Sequence, residues 1–333
     1  MVKIDMRELP MDKYIKVETE LRRKYLKLVE KVRDWIPTKV LVHAQVKYLY
    51  RPMIADRRLS SAVPELKVVM MELRSRCNAT CSFCPVNIKD DIRDDITMPF
   101  EVFKKAVNDL VDLNFSGRLA FFNNSEPLIT PNLLEYISYA TKQLSDVQTF
   151  QISTNGLSLT EKLGSGILEA GINLVTINVY NDNFGSELPS KVQRFRELVG
   201  EFNKRNSKPV RLLITRRGNS SILDNRAGDA PNKKDPQSMK YRGFCINPFV
   251  QFCINPNGTV SLCCYDAYAT KIMGDITKDS IREIWGSKIF EHYRKNLLEG
   301  NRGMLDVCLD CDYYGITNYP RGLRNNIIRA LTN

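Results

Sequence analysis

The chain has 333 residues, 43% apolar and 26% charged, which suits one large domain or two modest ones and excludes a disordered chain, a collagen-like repeat or a disulfide mini-scaffold. Forty-nine Lys and Arg against 38 Asp and Glu leave a net charge of +11, which attracts anionic partners without implying a specific nucleic acid. No apolar run reaches about 18 residues and MVKIDMRELP lacks a signal-peptide pattern, so a cytoplasmic location is expected, where nine cysteines stay reduced for metal or redox chemistry.

In chain order, residues 10–34 place Tyr14, Val17, Leu21, Tyr25, Leu28 and Val32 at helical spacing, which predicts an amphipathic helix in an N-terminal helical extension over 1–66. The next stretch, 35–54, mixes apolar, aromatic and basic residues and suits a membrane surface better than a membrane span. From residue 67 short apolar strands alternate with longer periodic helices, the pattern of βα units around a mostly parallel sheet. Strands are predicted at 67–73, 119–123, 149–153, 174–179 and 210–215, and helices open near Pro99, Pro131, Thr160 and Pro189. The predicted fold is therefore α/β, a partial (β/α)6 TIM-like barrel over 67–240. The stretch 216–243, rich in Gly, Asn, Pro and Lys, reads as a linker or active-site loop at a domain boundary. Beyond it two apolar runs flank Asn257-Gly258, a hairpin signal, and 279–300 reads as helix. These form a second domain over 241–318, followed by a tail over 319–333.

Cys77-Asn-Ala-Thr-Cys81-Ser-Phe83-Cys84 follows the first barrel strand, at the mouth where such barrels keep their chemistry. Three thiolates can hold three irons of a [4Fe-4S] cluster and leave the fourth iron open to a small molecule. Structural zinc wants a closed shell of four ligands, and no fourth Cys or His lies nearby in sequence. A second set, Cys245, Cys263, Cys308 and Cys311, offers four thiolates, which fits either structural zinc or a closed [4Fe-4S] centre. Cys263 and Cys264 are adjacent on a strand, so their side chains diverge. Cys264 and Cys253 stay unassigned: either replaces one of the four, donates a hydrogen atom to a substrate radical, or packs as a small apolar group.

The C-x3-C-x-aromatic-C trio resembles the signature of the radical S-adenosylmethionine (SAM) superfamily. The C-x12-G-x4-C spacing with a late C-x2-C resembles its SPASM/twitch extension, in the shorter version with one auxiliary cluster. The resemblance spans roughly residues 67–315 and is closest to members acting on carbohydrates and aminocyclitols, both dehydrogenases and epimerases; Gly274-Asp275-Ile276 and Ile284-Trp285 add to it.

That resemblance implies SAM and two [4Fe-4S] clusters as cofactors. Cys77, Cys81 and Cys84 would hold the cluster whose open iron binds SAM, and one electron would cleave SAM to methionine and a 5′-deoxyadenosyl radical. Cys245, Cys263, Cys308 and Cys311 would hold the auxiliary cluster. Phe83 would flank the adenine, while Ser125 and Glu126 of Asn124-Ser125-Glu126-Pro127 stand where the family's Gly-Gly-Glu-Pro turn holds the SAM amino group. Ser153, Asn155 and Asn178 would approach the ribose and carboxylate; a strand-ending polar cap is the other reading of each.

The implied reaction is hydrogen abstraction from a sugar- or aminocyclitol-like substrate, ending in oxidation or epimerisation. Arg216, Arg217 and Arg226 would orient substrate hydroxyls or phosphate, Arg226 foremost, with Cys264 and Cys253 as candidate catalytic thiols. A maturase acting on a ribosomally made peptide is the alternative, and a flavodoxin or ferredoxin is the expected reductant.

Overall fold

Strand β2 (Val68–Met71) is a run of four apolar residues, all buried, as a strand covered on both faces must be. The computed structural model that contains it describes residues 15–17, 37, 40, 65–89, 91–182, 186–218, 223–232 and 243–313. After β2 the chain alternates as the sequence predicts: α1 (Phe100–Asp112), β3 (Arg118–Ala120), α2 (Leu133–Gln143), β4 (Thr149–Thr154), α3 (Glu161–Glu169), β5 (Leu174–Tyr180), α4 (Ser190–Arg205) and β6 (Arg211–Arg217). Pro99 and Pro189 directly precede α1 and α4, where the missing proline N–H costs nothing. Thr160 caps α3 by accepting from the Leu163 N–H. Strands β2 to β6 pair in parallel in sequence order.

Two elements differ from the sequence reading. Residues Ile15–Val17 are not helical but form β1, which pairs in parallel with β6, Ile15 opposite Leu212 and Val17 opposite Ile214. Two β-branched residues in alternation fit a sheet edge, and the pairing with β6 overrides the helical spacing around them. Apart from these three, Pro37 and Val40, the predicted N-terminal extension lies outside the described residues, as does the tail over 319–333. A four-residue α5 (Asn247–Val250) comes next, and the helix expected over 279–300 is two helices, α6 (Ile281–Trp285) and α7 (Lys288–Leu298). Gly286 ends α6, and Ser287 caps α7 by accepting from the Phe290 N–H. A final short helix, α8 (Asp306–Leu309), carries Cys308.

The expected hairpin is present as β7 (Gln251–Ile254) and β8 (Thr259–Ser261), extended by β9 (Ile272–Asp275). Its first strand pairs in parallel with β2, so the sheet crosses the predicted domain boundary without a break. The order is β1-β6-β5-β4-β3-β2-β7-β8-β9, an open sheet with β1 and β9 at its edges. On its outer face Phe103, Phe121, Phe195, Phe252 and Phe290 are fully buried against the helices. Among the described residues no helix is long and apolar enough to cross a membrane.

Gly117 sets the approach of β3 to β2. A Cβ there would stand 2.3 Å from the Lys67 carbonyl oxygen, which accepts the Arg118 N–H at 2.9 Å. Gly117→Ala must shift backbone rather than a side chain, at a cost of about 1–3 kcal/mol. A lowered midpoint in thermal unfolding is expected; an unchanged midpoint would contradict this reading of the strand register.

Candidate active site

The loop leaving β2 carries the cysteine trio and is closed by its own backbone. The Cys84 N–H donates to the Cys81 carbonyl at 3.1 Å and the Ile88 N–H to the Ala79 carbonyl at 2.9 Å. Ala79, Cys81 and Phe83 bury one another, with Cys77, Cys84 and Tyr180 packed against them. The Phe83 ring lies 5.3 Å from that of Tyr180. Cys77 Sγ accepts from the Ala79 N–H at 3.4 Å and from Asn155 Nδ2 at 3.8 Å. Burial pushes the Cys77 thiol up to about 11 and Cys81 up to about 12, and the neighbouring thiols add repulsion. Thiolates gathered this way are unstable alone and are the donors that an iron cation would stabilise.

The polar residues expected around SAM converge on this loop. Glu126 is buried, and its carboxylate accepts from Leu128 N at 3.0 Å, Thr154 Oγ1 at 2.6 Å and Asn155 N at 2.8 Å. It therefore ties the turn after β3 to the end of β4. Asn155 Nδ2 also donates to Asn78 Oδ1 at 2.8 Å, inside the trio. Gly156 has φ +78, and its N–H donates to Thr154 Oγ1, so the end of β4 turns sharply beneath Cys77. Further round the barrel Thr215 Oγ1 donates to Asn178 Oδ1 at 2.6 Å, and Asn178 Nδ2 donates to Ser153 Oγ at 3.2 Å. Arg216 turns away, its Nη1 donating to the Ser186 carbonyl, while the charge of Arg217 bears on Tyr180.

Sequence reading missed the charges that hold this arrangement. The Arg93 guanidinium binds Glu72 Oε1 at 3.0 Å and both Asp91 oxygens at 3.0 Å, and donates to the carbonyls of Ser75 at 2.8 Å and Asn124 at 2.7 Å. Glu72 is 1% exposed and also engages the Ser125 side chain and the Asn124 backbone. Burial pushes its carboxyl up although Arg93 opposes the shift. One half-buried cation thus fixes the exit of β2, the end of the cysteine loop and the Asn124-Ser125 turn. Ser125 joins this network in the position where the resemblance expects a glycine. The pair spans 21 residues of sequence with no local pattern to announce it.

Cys245, Cys263, Cys308 and Cys311 form a second buried gathering. Burial raises all four thiols, and neighbouring thiols add to it: Cys263 is pushed further up by Cys264 first, then by Cys245, Cys311 and Cys308, and Cys308 by Cys245 and Cys311. Cys253 faces Cys264, Glu72 and Asp266. Cys264, pushed up to about 11 by burial, is pulled back by Arg226, whose Nη1 donates to the Cys264 carbonyl at 3.3 Å. Arg226 also lies 5.3 Å over the Tyr265 ring, 3.5 Å from Asp224 Oδ1, and within electrostatic reach of Cys84. Its backbone and that of Ala227 are left-handed, with φ 49 and 55, a strained turn that the expected linker did not foreshadow. Asn225 pins this turn: its N–H donates to Asp312 Oδ1 at 3.0 Å and its Nδ2 to the Asp310 carbonyl. Arg226 therefore bridges the region between the two cysteine sets.

Among the described residues no three His, Cys, Asp or Glu side chains converge on a point where one metal ion would sit. The all-sulfur donor sets and their burial fit iron–sulfur clusters.

Residues 245–312 match the SPASM family, an iron-sulfur cluster-binding domain. The S-adenosyl-L-methionine-dependent 2-deoxy-scyllo-inosamine dehydrogenase of Niallia circulans is 28% identical over 245 residues, 74% of this chain and 92% of that protein. The crystal structure of BtrN with AdoMet and 2-DOIA superposes with a TM-score of 0.64 at 25% identity, covering 78% of this chain and 98% of that one. The anSMEcpe structure with bound AdoMet and a peptide shares the fold at 16% identity, with a TM-score of 0.51 over 71% of this chain and 84% of its own.

Fold and site together define an α/β partial-barrel enzyme of iron–sulfur chemistry. More particularly, the chain is similar to radical SAM enzymes with a C-terminal SPASM domain, and the matches support SAM and iron–sulfur clusters as its cofactors.

Arg93→Met leaves the buried Glu72 carboxylate without its cation while Asp91 keeps Arg76 at 3.5 Å, a loss of about 3–5 kcal/mol. Denaturant unfolding of the variant should show that loss, and Glu72→Leu on the same background should recover part of it. A stability equal to wild type would mean that the network does not hold the loop.

Proposed function

We propose that the protein is a dehydrogenase of a sugar- or aminocyclitol-like alcohol, with Cys77, Cys81 and Cys84 holding the SAM-binding cluster and Cys245, Cys263, Cys308 and Cys311 an auxiliary one. The observation that carries this reading is Arg226, a cation within electrostatic reach of Cys84 on one side and hydrogen-bonded to the carbonyl of Cys264, the neighbour of Cys263, on the other. When bound, SAM and its cluster supply a hydrogen-abstracting 5′-deoxyadenosyl radical, and the auxiliary cluster supplies an electron acceptor.

The residues of the chain do the rest. Phe83, packed on Tyr180, offers an apolar face to the adenine, and Asn155 and the Ser153–Asn178 pair offer hydrogen bonds to the ribose and carboxylate. Glu126 spends its carboxylate on Leu128, Thr154 and Asn155, so it presents the turn's backbone with Ser125 to the amino group more than a free oxygen. Arg226 orients the substrate hydroxyl by charge-assisted hydrogen bonds. Asp224 Oδ1, buried and accepting no hydrogen bond among the described residues, takes the hydroxyl proton beside it. Loss of a hydrogen atom, that proton and one electron from a carbinol gives a ketone. The aminocyclitol dehydrogenase relative supports the substrate class, and the net charge of +11 suits an anionic member of it. A small electron-carrying protein such as flavodoxin or ferredoxin supplies the reducing electron.

Epimerisation is the second reading, favoured by Cys264, a buried thiol outside the four-thiol set and next to Arg226. One assay separates the two. Anaerobically reconstituted enzyme is incubated in deuterated water with SAM, a reductant and 2-deoxy-scyllo-inosamine or related alcohols. A ketone formed in step with 5′-deoxyadenosine is expected, with Arg226→Ala slowing it about a hundredfold. Deuterium fixed at a carbon, lost in Cys264→Ala, would establish the epimerase instead. Turnover of peptides alone would overturn both.

A further inference from the structure

Arg302 is a buried cation that the proposed reaction leaves unused. It opens a short turn, Arg302–Met304, between α7 and α8, and it is 2% exposed. Its Nη1 donates to the Tyr313 carbonyl at 2.9 Å and its Nη2 to the Cys311 carbonyl at 3.2 Å. The guanidinium is thereby clamped to the Cys308-x2-Cys311 turn. Its charge pulls the Cys245, Cys308 and Cys311 thiols down against the effect of burial. The acid on the same turn, Asp312, is occupied in accepting from the Asn225 N–H, although it too lies in the field of Arg302.

We propose that Arg302 raises the reduction potential of the auxiliary cluster and so makes it an electron acceptor. The assignment rests on the four-thiol set holding that cluster. A guanidinium keeps its proton at every pH a protein survives, so its charge is fixed. Gaining one electron adds one negative charge to the cluster, and a fixed positive charge nearby in a water-poor interior stabilises that reduced form over the oxidised one. Hydrogen bonds to the Cys311 and Tyr313 carbonyls hold the cation in place. Oxidation of an alcohol needs such an acceptor, whereas return of a hydrogen atom does not, so Arg302 favours the dehydrogenase outcome.

The test is a potentiometric titration of the full reconstituted chain, followed by electron paramagnetic resonance with SAM added to mark the signal of the other cluster. In Arg302→Gln the reduced-to-oxidised ratio of the auxiliary cluster at a fixed potential should fall about tenfold, which is ~59 mV for one electron. Arg302→Lys, which keeps the charge, should stay near wild type, and the SAM-binding cluster should not move in either. An unchanged auxiliary midpoint in Arg302→Gln with full iron content would overturn the proposal. Should that variant lose its cluster, Gly303→Asp adds the opposite charge beside an intact Arg302, in open space. A fall in the same direction is expected there, and no fall would equally overturn it. Wild-type protein with iron for only one cluster would instead overturn the reading beneath it.

Discussion

Strand β2 is hydrogen-bonded along both edges, to β3 on one side and β7 on the other, and this double pairing is the constraint from which the rest follows. Val68 stands opposite both Arg118 and Gln251, so barrel and C-terminal hairpin share one ladder. The trio loop leaves the C-terminal end of β2. Because β8 runs antiparallel to β7, the chain returns toward the start of β2, where Cys263, Cys264 and Cys311 pack with Val68 and Met70. Strand length thus separates the two sets, at about 3.3 Å per residue. Any slip of register on this strand would move one thiol set against the other.

Buried charge completes what the ladder begins. Seven thiols in two sets are disfavoured as thiolates by burial, and three arginines stand among or beneath them: Arg93 under the first loop, Arg226 between the sets, Arg302 at the second. Each is held by backbone carbonyls as well as by any acid, so its position is fixed and its charge persists. Arg93 is the one embedded among carboxylates, which suits a structural clamp. Arg226 pairs with one acid among the described residues, Asp224 at 3.5 Å, and its field also acts on the Cys84 and Cys264 thiols. Arg302 meets the carbonyls of Cys311 and Tyr313, which places its field on the Cys308 and Cys311 thiols.

Much of this was legible in the chain. The five barrel strands and the helix starts at Pro99, Thr160 and Pro189 follow from period and capping, because both signals are local. The trio and the four-thiol set were read from spacing; the structure packs Cys77, Cys81 and Cys84 together and buries Cys253 and Cys264 beside Cys263 and Cys311. What escaped was non-local or conformational. Ile15–Val17 is a strand only because β6 offers an open edge, and its flanking periodicity points elsewhere. Glu72 and Arg93 meet through folding alone. The left-handed turn at Arg226 and Ala227 defies residue preference, and it follows Asn225, which is hydrogen-bonded to the Asp310–Asp312 segment. The break between α6 and α7 had a local signal in Gly286-Ser287, which the stronger apolar period on either side concealed.

The central claim is that Cys77, Cys81 and Cys84 hold a cubane whose fourth iron takes SAM. Electron–nuclear double resonance on the reduced protein with SAM labelled at the amino nitrogen and carboxylate oxygen tests it most directly. Hyperfine coupling of both labels to the cluster is expected in wild type and in a Cys308→Ala, Cys311→Ala variant. Labels that stay uncoupled in a protein with full iron content would contradict it.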